Sequence, residues 1–265
     1  MSGAQVREEV ARLLAEAESA VRAIPPLRST WPELDTADAY EIQLLNVNRR
    51  LAAGGVVVGH KVGLTSLAMQ QMLGVDSPDY GHLFADMAVA NGDSIPAGRF
   101  VAPRAEPEVA FVLKRPLSGP GLSVDDVLAA TDYVVPALEL IDSRIESWQI
   151  GLVDTIADNA SSAGFVLGEP RTPADAHGLA DVLGDAAVAL VVDGESVEKG
   201  STQAVLGHPA LAVAWLAETL SSHGVSLEPG HVVLPGSCTR AVDVRAGSVV
   251  RAEFVGLGEV EVSFT

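Results

Sequence analysis

The chain carries one cysteine, Cys238, in 265 residues. No intrachain disulfide can form, and that scarcity fits a reducing compartment. Bases are scarce as well: 17 Lys and Arg stand against 35 Asp and Glu, a formal net charge of −18. Nucleic-acid binding rests on clustered Lys and Arg, so this balance argues against it and favours accumulation of divalent cations. No uninterrupted apolar run approaches the ~20 residues that cross a bilayer. Glu8, Glu9, Glu16 and Glu18 punctuate the N-terminal segment, which therefore does not read as a signal peptide. Internal repeats and low-complexity tracts are missing. So is the spacing of a nucleotide phosphate loop around Lys61, and Cys238 has no obvious His partner nearby, which leaves nucleophilic acyl chemistry with little support. The expectation is a soluble, cytoplasmic protein with a small-molecule partner and no nucleic-acid or membrane partner.

Nearly half the residues, 48%, are apolar and 20% are charged, so a packed core is expected in one large domain or a small one joined to a larger. Val6, Val10, Leu13, Leu14, Ala17 and Val21 share one face of a helix over residues 4–23, which Pro25 and Pro26 end. A second helix starts at Asp35 or Thr36 and stops at Gly54 and Gly55. An apolar strand then runs through 56–63, followed by a short helix over 66–73 and a turn-rich surface loop over 75–87. Strands are predicted near 108–114, 133–141, 163–167, 187–192, 231–234, 249–255 and 259–264, with helices over 123–131 and 209–222. Pro209 suits a first helical turn, and His208 suits the cap before it. Residues 170–185 read as a surface insertion. Unevenly spaced strands with few crossover helices argue for an α+β mixed sheet or rolled barrel over a doubly wound parallel sheet.

The candidate chemistry centres on residues 103–113, PRAEPEVAFVL. In an extended strand alternate residues face the same way, so Glu106 and Glu108 aim two carboxylates at one spot. Pro107 pushes Glu106 out of the helical region. Glu139 interrupts an apolar run as a third acid. Three carboxylates suit a hard octahedral cation such as Mg²⁺ or Mn²⁺; the alternative is a solvated acidic strand edge. Lys61 sits between glycines on an apolar strand, where desolvation would lower its pKa for proton transfer, unless it snorkels to water. Asp79 and His82 lie in the turn-rich segment as site residues or simple turn formers. Asp154, Asp158, Asn159, Ser161 and Ser162 form a polar cluster that suits either a carboxylate ligand or helix capping. Residues 236–239, with Ser237, suit an anion-binding turn or an ordinary one.

Together these segments resemble the 2-hydroxypenta-2,4-dienoate hydratase (2-keto-4-pentenoate hydratase) family, related to the fumarylacetoacetase superfamily. The matching stretches are DAYEIQL (38–44), GHKVGLTS (59–66), MQQMLGVDSPDYGHLFADM (69–87), PRAEPEVAF (103–111), PALELIDSRIESW (136–148), DTIADNASSAGFVLG (154–168), LGHPALAVAWLA (206–217) and LPGSCTRAVDVRAG (234–247). The resemblance implies a fumarylacetoacetase-like mixed β-roll. It divides the chain into an N-terminal helical segment, 1–75, that ends with the Lys61 strand, and a β-rich catalytic domain, 76–265. It implies that Glu106, Glu108 and Glu139 bind Mg²⁺ or Mn²⁺, that Lys61 and Asp79 are acid–base groups, and that Ser161, Ser237 and Leu83 contact substrate. The implied reaction is hydration of 2-oxopent-4-enoate to 4-hydroxy-2-oxopentanoate in meta-cleavage breakdown of aromatics or sterols. Relatives form homo-oligomers, with a downstream aldolase or a sister decarboxylase as associates. That sister, acting on 4-oxalocrotonate, is the alternative reading. It requires a site for a second carboxylate, for which Arg144 and Arg240 are the candidates.

Overall fold

The structure, a computed structural model, describes residues 2–66, 70, 77–171 and 176–265. Ser2 and Gln5 form a capping box at the start of α1 (Gly3–Ala20), and a left-handed Val21 ends the helix. Asp35 caps α2 (Thr36–Ala52) by accepting the Asp38 N–H at 2.9 Å. Val10 and Leu14 of α1 and Ala39 and Ile42 of α2 close on Leu27, Ile145 and Ile156, forming a core of their own.

From residue 57 the chain is mostly β. In chain order come β1 (Val57–Gly63), β2 (Asp79–Phe84), β3 (Ala88–Val89), β4 (Ser94–Ile95) and β5 (Arg104–Leu113). Helix α3 (Val124–Ala130) leads into β6 (Thr131–Ile141), and α4 (Leu152–Ala157) leads through a 3₁₀ turn into β7 (Ser162–Leu167). Then follow α5 (Ala176–Asp185), β8 (Ala187–Val192), β9 (Glu195–Ser201), α6 (Pro209–Ser221), β10 (Val232–Leu234), β11 (Val242–Asp243), β12 (Val249–Phe254) and β13 (Gly258–Phe264). Among the described residues, eight strands form one mixed sheet in the order β2-β1-β10-β5-β6-β7-β3, with β11 on β5. Five form a second sheet, β4-β13-β12-β8-β9. This is the α+β mixed-sheet roll with N-terminal helices that the sequence implied.

The large sheet is buried on both faces, which is why β5 and β6 read as continuous apolar runs. Val109 and Phe111 of β5 and Leu138 and Leu140 of β6 meet the second sheet and α6 in the main core. Their alternates, Ala110, Val112, Val135 and Ala137, point the other way, with Leu83, Val232 and Leu234. Pro209 opens α6, and His208 caps it by accepting the Ala210 N–H at 3.1 Å.

Two expectations change. The predicted surface loop over 75–87 contains β2, whose six residues are all buried. Its Asp-Tyr-Gly-His order lacks the two-residue alternation of a half-exposed strand because β2 is enclosed on both sides. The predicted surface insertion holds α5, whose Leu183 is fully buried in the main core. The helix predicted over 66–73 lies outside the described residues apart from 66 and 70.

Candidate active site

Strand pleating collects the candidate residues on the sheet face opposite the main core. Glu106 and Glu108 share their face of β5 with Ala110, and Glu139 shares its face of β6 with Ala137. The register pairs Glu106 directly with Glu139 and Glu108 with Ala137. As a result one carboxylate oxygen from each of Glu106, Glu108 and Glu139 lies within 4.8 Å of the other two. Lys61 arrives from β1, across β10. Its Nζ donates to the Ala160 carbonyl at 2.9 Å and forms an ion pair with Glu139 Oε1 at 3.3 Å. Asp79 begins β2 opposite Gly63, and the Thr155 hydroxyl donates to its Oδ2 at 3.2 Å.

The glycines of β1 are steric requirements. A Cβ on Gly63 would stand 2.1 Å from Asp79 Oδ1, and one on Gly59 would stand 1.9 Å from the Val232 carbonyl. The Gly236 N–H donates to Glu108 Oε2 at 2.8 Å, and the Cys238 N–H donates to the Pro107 carbonyl at 2.9 Å. These bonds tie the turn carrying Ser237 to the carboxylate strand. Ser237 is half-buried, while Ser161 is buried with an unpartnered Oγ next to the carbonyl that holds Lys61. Leu83 lies on the same face, fully enclosed in the apolar cluster.

Burial governs the electrostatics. It pushes Glu106 up to about 7, with help from Glu139. Glu108 is driven well above the carboxylate range by burial and then by Glu139 and Glu106, against the Gly236 N–H. Glu139 and Asp79 also rise by burial, each opposed by the Lys61 charge. For Lys61 the expected direction is reversed. Burial does pull its pKa down, but Glu139, Asp79, Glu106 and Glu108 together outweigh it and hold the pKa above the ordinary lysine value. Those neighbouring carboxylates favour the ammonium form of Lys61.

The remaining polar residues sort clearly. Asp154 accepts the Leu27 N–H at 2.7 Å and the Gly151 N–H at 2.8 Å, a structural cap. Asp158 pairs with Arg144 at 2.5 Å, and Asn159 clamps the His82 backbone. The His82 ring packs against His60 at 4.9 Å between centroids, one residue out of phase with Lys61. A small cavity, about 30 Å³, opens between α1, α2 and residues 157–162; its lining includes none of the three glutamates. Thr155 and the Ala160 carbonyl were not identified from sequence; the latter is a backbone group, which side-chain patterns do not signal. The 236–239 turn, read as a candidate anion-binding turn, gives its Gly236 N–H to the Glu108 carboxylate.

The glutamates suit a hard divalent ion. Glu108 Oε1 and Glu139 Oε2 are buried with no hydrogen-bond partner, and Glu139 Oε1 has only the Lys61 charge. Orphaned buried acceptors cost about 1–3 kcal/mol each, more when charged, and an all-oxygen donor set fits Mg²⁺ or Mn²⁺.

This architecture has counterparts among known proteins. Residues 57–265 match the fumarylacetoacetate (FAA) hydrolase C-terminal family, and the chain belongs to that family. Within it, the chain is 44% identical to 2-keto-4-pentenoate hydratase of Paraburkholderia xenovorans (strain LB400), over 98% of this chain and 95% of that one. It is 41% identical to 2-hydroxyhexa-2,4-dienoate hydratase of Comamonas testosteroni, with both chains covered completely. Among solved structures, 4-oxalocrotonate decarboxylase from Pseudomonas putida G7, complexed with magnesium and adipate, superposes with a TM-score of 0.93 at 36% identity, covering 100% of this chain and 99% of that one.

Proposed function

We propose that this chain is a divalent-metal-dependent hydro-lyase that converts 2-hydroxypenta-2,4-dienoate (2-oxopent-4-enoate) to 4-hydroxy-2-oxopentanoate. One observation carries the reading. Three clustered carboxylates, two of them (Glu108 and Glu139) with unpartnered buried oxygens, stand beside a buried lysine and a buried aspartate, in a chain 44% identical almost end to end to a 2-keto-4-pentenoate hydratase.

Glu106, Glu108 and Glu139 would hold Mg²⁺ or Mn²⁺, which when bound supplies Lewis acidity to the two oxygens of a 2-oxo acid. Lys61, kept cationic by its carboxylates, offers positive charge and a proton at Nζ. Asp79 has its Oδ2 occupied by Thr155 and its Oδ1 unpartnered, so Oδ1 is the atom available for proton transfer. Between them these groups remove the proton from the 2-hydroxyl and deliver one to C5, giving the α,β-unsaturated 2-oxo acid. Water then adds, hydroxyl to C4 and proton to C3. Ser161, whose Oγ is buried and unpartnered, and Ser237, next to the Gly236 that bonds Glu108, would hold the substrate carboxylate. The same reading takes the protein as a cytoplasmic homo-oligomer of meta-cleavage catabolism, working beside an aldolase or a sister decarboxylase.

The decarboxylase reading draws support from the 0.93 TM-score. A dicarboxylate needs a cation at its far end, however, and both arginines considered for that role are engaged. Arg144 is buried and directs its donors to Asp158, to the Asp142 carbonyl at 2.6 Å and to the Ser162 carbonyl at 3.3 Å. Arg240 is 83% exposed and pairs with Glu198 at 2.6 Å. The hydratase reading therefore stands first. The test is a Mg²⁺-dependent assay on 2-hydroxypenta-2,4-dienoate and 2-oxohex-3-enedioate side by side. Chelator-sensitive formation of 4-hydroxy-2-oxopentanoate supports the proposal; CO₂ release from the diacid without hydration of the dienoate overturns it.

A further inference from the structure

The segment from α4 to β7 holds both proposed proton-transfer groups at once. Ala160 presents its carbonyl to Lys61 Nζ, and the Asn159 side chain bonds the His82 N–H and carbonyl at 2.8 and 2.9 Å, locking β2 to the segment. Asn159, Ala160 and Ser161 are consecutive non-glycine residues in the left-handed region, at φ 55°, 51° and 55°. Such conformations persist where the surroundings over-determine them.

Thr155 is the one side chain of this segment that reaches Asp79. A threonine within a helix commonly returns its hydroxyl to the carbonyl four residues back. Here Oγ1 instead leaves the helix and donates to Asp79 Oδ2 at 3.2 Å. Both residues are buried, Thr155 6% and Asp79 1% exposed, so water does not readily replace that bond. Asp79 Oδ1 lies against Gly63, and the backbone of Gly63 and of Asp79 itself also favours the charged carboxyl, but among the described residues Thr155 supplies the side-chain hydrogen bond that fixes its rotation. One carboxylate oxygen is thus pinned and the other left open toward Lys61 and the glutamates.

We propose that Thr155 is a positioning residue, whose hydroxyl sets the rotation of the Asp79 carboxylate and so presents Oδ1 to the reacting carbons. The inference rests on the assignment of Asp79 to proton transfer made above.

The test compares Thr155→Val, which keeps the shape and deletes the hydroxyl, with Thr155→Ser, which keeps the hydroxyl, in Mn²⁺-loaded full-length protein. Three quantities are read: hydration of the dienoate, deuterium exchange at C3 of 2-oxopentanoate by proton NMR, and Mn²⁺ affinity by calorimetry. The saturated acid can enolise but cannot be hydrated, so exchange isolates proton transfer. The expectation is a loss of about 10–100-fold in kcat for both reactions in Thr155→Val, the scale of a misplacement of about 1 Å. KM and Mn²⁺ affinity should stay within about threefold, and Thr155→Ser should recover to within about threefold of wild type. Wild-type rates in Thr155→Val, or a Thr155→Ser protein as slow as Thr155→Val, overturn the inference. If Thr155→Val does not fold, Thr155→Ala replaces it under the same criteria. A wild-type protein that exchanges C3 but does not hydrate the dienoate overturns the substrate reading alone, and exchange then decides the role of Thr155. A wild-type protein inert in both assays removes the Asp79 assignment and the inference with it.

Discussion

Stabilisation of the fold by Mn²⁺ should shrink as the pH falls from 8 to 6. In the metal-free protein Glu106, Glu108 and Glu139 hold their protons above the usual carboxylate range, Glu106 up to about 7, because burial and mutual repulsion disfavour the charged forms. A carboxyl whose pKa rises on folding adds stability that is complete below its unfolded pKa and is lost as the pH climbs through the folded value. For Glu106 that window runs from 4.5 to about 7. Metal-free protein thus loses stability from this group across the range in which an ion, competing for the same oxygens, binds better. Taking Glu106 alone, its ionised fraction falls roughly tenfold between pH 8 and pH 6, and affinity falls with it. An ion at a hundred times its Kd stabilises the folded form by about 2.7 kcal/mol, and a tenfold weaker site removes about 1.4 kcal/mol of that. In a chain of this size about 1 kcal/mol moves Tm by roughly 2–4 °C, so the Mn²⁺-induced shift should drop by roughly 3–6 °C.

Other groups titrate in the same range. Burial holds His60 well below the ordinary histidine value and His82 at about 4, so their neutral forms are favoured in the fold and stability falls as the pH drops below 6.5. That trend opposes the one from Glu106. It acts with and without the ion, so it cancels in the difference between Mn²⁺ and chelator. Differential scanning fluorimetry at pH 6, 7 and 8, each with saturating Mn²⁺ and with chelator, measures that difference. Calorimetry in buffers of different ionisation enthalpy counts the protons released on binding. A Tm shift that does not change with pH, or binding without proton release at pH 6, refutes the reasoning.

Lys61→Met should bind Mn²⁺ and lose at least about 100-fold in kcat, the scale of a general acid–base contribution, as steady-state kinetics beside calorimetry would show. Gly63→Ala would force a methyl group to 2.1 Å from Asp79 Oδ1 and should cut dienoate turnover more than about tenfold, the carboxylate being displaced from its near-attack position. Arg144→Met strands the buried Asp158 charge and should cost about 3–5 kcal/mol in urea unfolding, while Arg144→Met with Asp158→Leu should regain most of that.

The strands that build the floor of the site were legible because β5 and β6 are long, apolar and rich in branched residues. Glu106 and Glu108 stood out as alternate residues around Pro107 at the head of such a run, and Glu139 as a lone acid inside one. β2 was not legible. Pro78, Asp79, Gly81 and the preceding turn formers outweighed a strand pattern with no alternation, since a strand enclosed on both faces has none to offer. Gly81 illustrates the cause. A Cβ there would meet the Asn159 carbonyl at 2.4 Å, so the glycine answers a neighbour 78 positions away in the chain and not a local turn. The sign of the Lys61 shift was hidden as well. Desolvation can be inferred from an apolar strand, but the carboxylates that outweigh it come from three other strands. Thr155 carried no signal, because a buried helical threonine looks alike whether it packs or positions.

The residues that fit their local surroundings worst are the ones the fold gathers at a single point. A lysine in an apolar strand, an acid in the middle of Leu138 and Leu140, and an aspartate opening a buried strand each oppose folding when taken singly. Brought together they neutralise one another only in part. Four acids face one lysine, and three of the carboxylate oxygens still have no hydrogen-bond partner in Glu108 and Glu139 alone. A structure selected for stability would replace such a cluster with apolar side chains of similar volume, which is often neutral or stabilising. Its arrangement makes sense as a site held in deficit of positive charge, ready for a divalent ion and a chelating acid. Local violations of good core design mark function when they converge in space, whereas scattered ones mark strain.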